Sequence, residues 1–367
     1  MTKAASPAIR IPWRALSMVG SLALIWLVFT ITTDGTFLIP RNLSLLARQM
    51  SVTSILAIAM VLVIVAGQID LSVGALTGLL GAVSAVVFVK SEWPLWAAFV
   101  APVVVGAVLG VIQGNLVARF GIPPFIVTLG GMLLFQGTLL GTTGGVSISP
   151  TPDYLFVGQA YVPPLFGWIA TGVVCVYLII KALRAGRMAQ LQAVGLSIFC
   201  VLFTALMNAY EGIPLPVLLV LLLAVVFSTV AHHTRFGRHL YAIGGNREAA
   251  FYSGININRH LAGVFTLMGA MCGVAGIVLT ARVGSATSDA GRMMELDAIA
   301  AAVIGGTSLL GGQGTVWGAL LGAMVMASLD NGMSLMNTEA FWQPIIKGTI
   351  LVIAVGVDMA TRQAQRS

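Results

Sequence analysis

Long apolar stretches separated by short polar breaks run through the whole chain. Twelve of them are long enough, or nearly long enough, to cross a bilayer, which takes about 20 residues of helix. They lie at 17–33, 43–66, 71–89, 95–118, 124–143, 165–183, 192–209, 214–232, 261–281, 295–310, 314–331 and 344–360. This pattern predicts an all-α integral membrane protein, folded as a polytopic helix bundle.

Glycine interrupts some of these stretches, notably around Gly67 and across 305–314. Because apolar segments broken by glycine often form half-helices or re-entrant pieces, we expect about 10 transmembrane helices together with short re-entrant or broken segments. The polar breaks are too short for a soluble domain. We therefore expect a single membrane domain over 1–367, in which 233–260 forms the longest loop on the cytoplasmic side.

Composition excludes a soluble protein. Hydrophobic residues make up 58% of the 367 residues and charged residues only 8%, whereas about a quarter of an ordinary soluble domain is charged. No globular core could bury so large an apolar fraction, so most of these side chains must contact lipid or one another. The same balance excludes intrinsic disorder, which needs low hydrophobicity and high charge density.

The net charge of +7 is better explained by membrane topology than by nucleic acid. The 19 Lys and Arg residues are scattered between apolar runs and form no continuous basic face, so no nucleic-acid partner is expected. If the N-terminus is cytoplasmic and every segment crosses the membrane, 13 of the 19 Lys and Arg residues lie on the cytoplasmic side and six lie on the outer side. This distribution obeys the positive-inside bias and predicts that both termini are cytoplasmic.

The sequence lacks the motifs of the common enzymes and pumps. It has no phosphate loop of the form GxxxxGK[ST], no HExxH and no GxSxG, so we expect neither ATP hydrolysis nor an enzyme. Cys175, Cys200 and Cys272 each lie in an apolar stretch without paired ligands, so neither a metal site nor a cofactor is expected. Few ionisable residues lie deep in the apolar segments, which leaves an ion-coupled carrier unsupported but open.

The loop at 233–260 contains the signals of a short helix. Asn246 can cap its start, 247–253 supplies about two turns, and Gly254 can end it in a left-handed conformation. Such a helix would lie flat at the membrane surface, with Phe251 and Tyr252 as aromatic anchors for the groove of a partner.

The sequence Glu248-Ala249-Ala250 followed by Gly254 resembles the EAA...G signature of ABC importer permeases, although no Ile-x-Leu-Pro follows the glycine. Further blocks resemble the monosaccharide permeases of the ribose and xylose group, and the resemblance covers nearly the whole chain. The three blocks nearest the C-terminus, at 327–333, 341–349 and 357–361, are most similar to the xylose branch, while ribose, arabinose and galactose relatives stay open. The blocks are IDLSVG (69–74), AIGGN (242–246), SGIN (253–256), ELDAIAA (295–301), IGGTS (304–308), ASLDNGM (327–333), FWQPIIKGT (341–349) and VDMAT (357–361).

The resemblance implies the permease subunit of an ATP-driven monosaccharide importer in the bacterial inner membrane. Such a subunit forms a homodimeric pore, receives sugar, here expected to be D-xylose, from a periplasmic binding protein, and is opened by cytoplasmic ABC ATPase subunits. In that family the loop is the coupling helix. The residues that would couple to the ATPase are Asn246, Arg247, Glu248, Ala249, Ala250 and Gly254.

Within this coupling loop we expect Glu248 to be a polar contact to the ATPase. Ala249 and Ala250 would form a close-approach surface, and Gly254 would be the turn that fixes the angle of the helix. Two simpler interpretations remain for these residues. Glu248 could be a solvated surface residue, and Gly254 could be an ordinary helix cap.

Polar residues within apolar segments are the candidates for lining the translocation path. A sugar crosses such a pore by exchanging water for side-chain hydroxyls and amides. Each candidate could instead hydrogen-bond a neighbouring helix, and for Asp70 we favour a cap on a half-helix. The candidates are Asp70, Gln113, Asn115, Thr128, Gln136 and Asn331.

Two functions of other classes remain as alternatives. The first is a stand-alone ion-coupled secondary sugar carrier, and the second is a membrane scaffold without transport activity. Uptake into liposomes would separate them from a permease, because only the permease needs a binding protein and an ATPase.

Overall fold

The chain is described from a computed structural model that covers residues 13–183 and 187–366. Helix dominates this part of the chain, and each of the 12 predicted apolar segments contains one helix. The helices are α1 (Trp13–Thr32), α2 (Pro40–Val65), α3 (Val73–Ala85), α4 (Leu95–Ala118), α5 (Pro124–Thr143), α6 (Pro152–Gln159), α7 (Pro164–Leu183), α8 (Arg187–Asn208), α9 (Leu215–His233), α10 (Arg235–Gly245), α11 (Arg247–Tyr252), α12 (Ile257–Val283), α13 (Met294–Ile304), α14 (Val316–Leu335) and α15 (Trp342–Arg366). The expected cytoplasmic N-terminus lies outside the described residues.

The polytopic helical fold is confirmed. Eight helices in the described part of the chain are long and apolar enough to cross a membrane: α2, α3 with its π-helical extension Val86–Lys90, α4, α5, α7, α8, α9 and α12. Two further apolar helices, Met18–Thr32 and Trp342–Ile353 within α1 and α15, are shorter than these eight, so the expected total of about 10 transmembrane helices stays a prediction. The broken segment is the α13–α14 pair, in which α13 has only 11 residues.

Helix α2 lies at the centre of the bundle. Every residue from Ser54 to Val65 is buried, and α2 packs against α9, α12, α13 and α14. Helices α4 and α12 form a closely packed antiparallel pair, and α12 also packs on α2. A Cβ at Gly106 would collide with the Gly269 carbonyl, which shows how near the two backbones come. Small residues at such crossings are what allows membrane helices to pack tightly.

Two short strands close one end of the helical hairpin formed by α7 and α8. Strand β1 (Tyr161–Val162) pairs antiparallel with β2 (Ile213–Pro214), with Tyr161 opposite Pro214. Helices α7 and α8 pack mainly on each other and expose large apolar side chains to their surroundings. This hairpin therefore lies at the edge of the bundle, where lipid can cover it.

The ends of the helices gather on two opposite faces. On the first, which we call the α10 face, the Gly312 amide donates to the Val65 carbonyl at 2.9 Å and the Tyr241 hydroxyl donates to the Gly314 carbonyl at 2.7 Å. This face therefore contains the end of α2, helix α10 and the break between α13 and α14.

On the opposite side, which we call the α6 face, loops and helix ends are tied together. The Tyr154 hydroxyl of α6 donates to Ser84 Oγ near the end of α3 at 2.8 Å. The loop before α6 pairs with the loop after α12, where the Ile148 amide donates to the Ala286 carbonyl at 3.0 Å. The loop predicted between 144 and 164 is thus structured and contains the eight-residue helix α6.

Candidate functional site

A sharp corner on the α10 face joins α10 to α11. Asn246 stands between the two helices, and its Oδ1 accepts the Ala249 amide at 2.9 Å as an N-terminal cap. Helix α11 has six residues, Arg247–Tyr252, and Gly254 follows at φ 78°, a left-handed conformation that suits glycine. The predicted cap, the short helix and its glycine stop are therefore present.

Most of α11 is free on the surface of the chain. Arg247, Glu248 and Ala249 are exposed, and Phe251 and Tyr252 have exposures of 65% and 85%. The position of this helix at the surface leaves both aromatic side chains available to a partner.

One expectation for this loop is wrong. Ala250 is only 4% exposed and packs into the main hydrophobic core, so its methyl group forms no outward surface for a partner. A six-residue helix lying on the bundle must turn one side inward, and Ala250 is on that side. Its small side chain lets α11 lie close to the rest of the chain.

Helix α10 is fixed to the core by a very close backbone contact. A Cβ at Gly244 would collide with the Val65 carbonyl and would come within 2.8 Å of the Gly312 amide. The Tyr241–Gly314 hydrogen bond lies beside this junction. Movement of α10 must therefore reach the end of α2 and the α13–α14 break together.

A pair of histidines joins α10 to the start of α12. His239 Nδ1 lies 3.0 Å from His260 Nε2, and His260 Nδ1 donates to the Asn256 carbonyl at 2.7 Å. Which of the two rings donates in the His239–His260 hydrogen bond depends on their tautomers. Loss of hydration, followed by the nearby His260, Arg238 and Arg235, lowers the pKa of His239, which favours its neutral form.

A buried polar cluster lies where the chain enters α3. Asp70 Oδ1 accepts the Ser72 amide at 2.9 Å and the Ser72 hydroxyl at 2.6 Å, while Gln113 Nε2 of α4 donates to Ser72 Oγ at 3.0 Å. Asp70 is 2% exposed and Gln113 5%. Asp70 thus stabilises the turn before α3 and does not cap the first amides of the helix. It lies in one cluster with Gln113.

The other candidates for the translocation path are spread through the bundle. Asn331 of α14 exchanges two hydrogen bonds with Asn42 of α2, at 2.9 and 3.0 Å. Thr128 is buried, with its Oγ1 3.5 Å from the Phe125 carbonyl, and Gln136 is exposed on α5. Their assignment to the path stays a prediction.

Asn115 lies near the α10 face. Its Nδ2 donates to the Val111 carbonyl of its own helix at 2.8 Å, and the residue lines a cavity of about 500 Å³ with Arg119, Asn256 and Arg259. The cavity is rich in donors and lies between the end of α4 and the start of α12.

An ion cluster that sequence reasoning did not find joins α13, α14 and α15. Lys347 Nζ lies 2.9 Å from Asp297 Oδ1 and 2.9 Å from Asp330 Oδ1. The three side chains are 12–20% exposed. In the described parts of the chain, 13–183 and 187–366, no group of three or more His, Cys, Asp and Glu residues could hold a metal ion.

Comparison with known proteins shows which proteins have a similar sequence. Residues 42–355 match the family described as the branched-chain amino acid transport system / permease component. The chain is 46% identical to the xylose transport system permease protein XylH of Escherichia coli (strain K12) over 362 residues, which covers 94% of this chain and 92% of the relative. It is 42% identical to XylH of Haemophilus influenzae, covering 94% and 96% of the two chains.

A more distant relative is the ribose import permease protein RbsC of Escherichia coli (strain K12), with 35% identity over 93% of this chain and 92% of the relative. No solved structure matches the chain significantly. The named relatives are transport permeases rather than enzymes, and their similarity extends over almost the whole length. The chain therefore belongs to the family of branched-chain amino acid transport system permease components.

Proposed function

We propose that the chain is the membrane-spanning permease subunit of an ATP-driven importer of D-xylose or a closely related monosaccharide. The proposal combines end-to-end similarity to xylose permeases with the α10–α11 corner, an exposed helix fixed by α10 to the centre of the bundle. The corner is the observation that carries it, because a subunit without an ATP site needs a contact through which an external ATPase can act.

The partners and orientation follow from this assignment. The protein works as a homodimer in the bacterial inner membrane, with both termini and the α10 face in the cytoplasm. Cytoplasmic ABC ATPase subunits dock on α11, and a periplasmic sugar-binding protein delivers sugar at the α6 face. The bias of Lys and Arg residues toward the α10 side supports this orientation.

Coupling works through two discrete arrangements of the bundle. Closure of the ATPase pair on ATP shifts α11, and the shift passes through α10 because Gly244 packs directly on Val65 and Gly312. Asn246 and Gly254 keep the corner stiff, and Glu248 and Arg247 supply its polar contacts. Ala249 is exposed for close approach by the ATPase, and Ala250 anchors α11 inward.

The sugar passes along polar groups that bind it only briefly, because tight binding would slow release. The proposed contacts of this path are Asp70, Gln113, Asn115, Thr128, Gln136 and Asn331. Asp70 and Gln113 already share one buried cluster with Ser72. A change of state that opens this cluster would free hydroxyl and amide groups for the hydroxyls of a sugar.

Reconstitution into liposomes tests the proposed function. Import of labelled D-xylose is expected only when the chain, a binding protein and the ATPase are all present with ATP. Uptake by the chain alone under a proton or sodium gradient would establish the secondary carrier instead. Absence of uptake under every condition would favour the scaffold, although the similarity to transport permeases supports the importer.

A charge reversal on α11 tests the docking surface. We expect Glu248→Lys to weaken retention of the ATPase subunits roughly tenfold, because the substitution reverses a charge that α11 presents to the ATPase. Glu211→Lys is the matched control, since Glu211 is also exposed but lies beside β2, away from the α10 face. Co-purification of the ATPase with each variant is the measurement. Equal retention by both variants would show that α11 is not the docking element.

A further inference from the structure

A charged groove lies between α13, α14 and α15 and the turn that precedes α13. Its volume is about 550 Å³, and Asp297, Lys347, Arg292 and Gln343 supply its polar groups. Met293 contributes apolar surface to the same groove. Small-molecule sites commonly have volumes of about 300–1,000 Å³ and combine apolar walls with a few fixed polar groups. The groove has the size and the chemistry of such a site.

The turn that forms one wall of the groove packs into the bundle, while the groove itself opens at the surface of the chain, where Met293 and Leu296 are 39% and 40% exposed. A Cβ on Gly78 would collide with the Ala290 carbonyl, and one on Gly291 would collide with the Gly74 carbonyl, so the turn before α13 packs on the first turns of α3. The first turns of α3 pack on α12 beside Cys272, whose Sγ lies 3.7 Å from the Val73 carbonyl.

The depth follows from the geometry of α12. This helix continues from Cys272 to Val283, and at 1.5 Å per residue that distance is about 16 Å. The turn before α13 therefore folds back from the α6 face by roughly half the thickness of a bilayer hydrocarbon core, about 30 Å. Gly291 packs on Gly74, the residue after Val73, so Arg292, the next residue of the turn, lies near this depth.

Charged side chains at this depth are not compatible with lipid. Arg292 and Asp289 have side chains that are 70% and 74% exposed, and their ion pair of 3.6 Å is open to the surroundings. Placing a charged residue at the centre of a bilayer is strongly unfavourable. Arg292 and Asp289 therefore do not face lipid: they face either an aqueous path within the membrane or, in the proposed homodimer, the partner protomer.

The charges of the groove nearly balance, which favours a neutral polar ligand over an ion. Lys347 lies between Asp297 and Asp330, and Arg292 pairs with Asp289. Carboxylate oxygens accept hydroxyl protons, and an amide such as Gln343 both donates and accepts. An apolar wall at Met293 suits the C–H face of a sugar ring.

We propose that this groove is a site where a monosaccharide contacts the permease on its way through the membrane. The proposal rests on the proposed import function. It assigns recognition of the sugar to α13 and α15, with Asp297 and Gln343 as hydrogen-bonding groups.

Two glycines on α15 provide the test. Gly348 lines the groove, and a Cβ there would meet nothing within 4 Å, so a leucine there would start in open space and reduce the volume of the groove. Gly356 lies on the same helix with the same free space, outside the groove. We expect Gly348→Leu to lower sugar import by the reconstituted complex about tenfold or more, and Gly356→Leu to lower it less than about twofold. Equal import by the two variants, whether high or low, would overturn the proposal.

A labelling experiment separates failure of this site from failure of the proposed function. Gly348→Cys is placed in the complex after replacement of Cys175, Cys200 and Cys272 by alanine, and Gly172→Cys on the exposed side of α7 is the control. A water-soluble thiol reagent should modify position 348 and not position 172, and D-xylose should slow the reaction at 348. No modification at 348, or modification that D-xylose does not slow, would overturn the site. If the complex that retains the three native cysteines imports no sugar, the proposed function fails, whatever the labelling shows.

Discussion

Replacing Lys347 with methionine is expected to lower the free energy of unfolding by about 3–5 kcal/mol, the cost of breaking a buried ion pair on one side. Lys347 Nζ lies 2.9 Å from a carboxylate oxygen of Asp297 and 2.9 Å from one of Asp330, and all three side chains are at most 20% exposed. Without the ammonium group, two largely buried carboxylates on neighbouring helices would repel each other. Thermal unfolding of the detergent-solubilised protein measures the effect.

The controls separate charge from packing. Lys90→Met removes an exposed lysine and should change stability little. Adding Asp297→Asn and Asp330→Asn to Lys347→Met should recover much of the lost stability, because two neutral amides do not repel each other and require no positive partner. If Lys347→Met alone is as stable as Lys90→Met, the ion cluster does not hold α13, α14 and α15 together.

Much of the fold could be predicted because its signals are local. A bilayer requires long apolar helices, so hydropathy alone located the core of each of the 12 segments in which α1–α5, α7–α9 and α12–α15 are found. The α10–α11 corner was also predictable, since a capping Asn246 and a left-handed Gly254 act within a few residues of the helix that they bound.

The candidate site was predicted less completely because its contacts join distant parts of the chain. Lys347 and Asp297 are 50 residues apart, and no local pattern indicates that they meet. The inward side of α11 was also missed, because six residues contain too few apolar positions to show a helical period. For Gln113 and Asn331, the sequence indicated polar groups within the bundle but not their partners Ser72 and Asn42.

The second large effect is expected at Gly244, where α10 contacts the end of α2 and the α13–α14 break. We expect Gly244→Val to reduce ATP-driven import roughly tenfold or more, within the range of typical coupling free energies of about 1–3 kcal/mol. A side chain at this position would press on the Val65 carbonyl, which accepts the Gly312 amide at 2.9 Å. The clash would separate α10 from both the end of α2 and the α13–α14 break, so motion of α11 would no longer reach the bundle. Sugar-stimulated ATP hydrolysis and import, measured together in liposomes, should lose their correlation.

The neighbouring residue, Gly245, provides the matched control for this experiment. Gly245 is exposed at the end of the same helix, and a Cβ there would meet nothing within 4 Å, so Gly245→Val makes the same chemical change without the clash. Since valine has nearly the same effect on helix formation at both positions, any difference between the two variants reports contact with Val65 and Gly312. Import that survives in both variants would mean that α10 does not transmit the force. Import lost in both would place the sensitivity in the corner itself, where Asn246 turns the chain into α11.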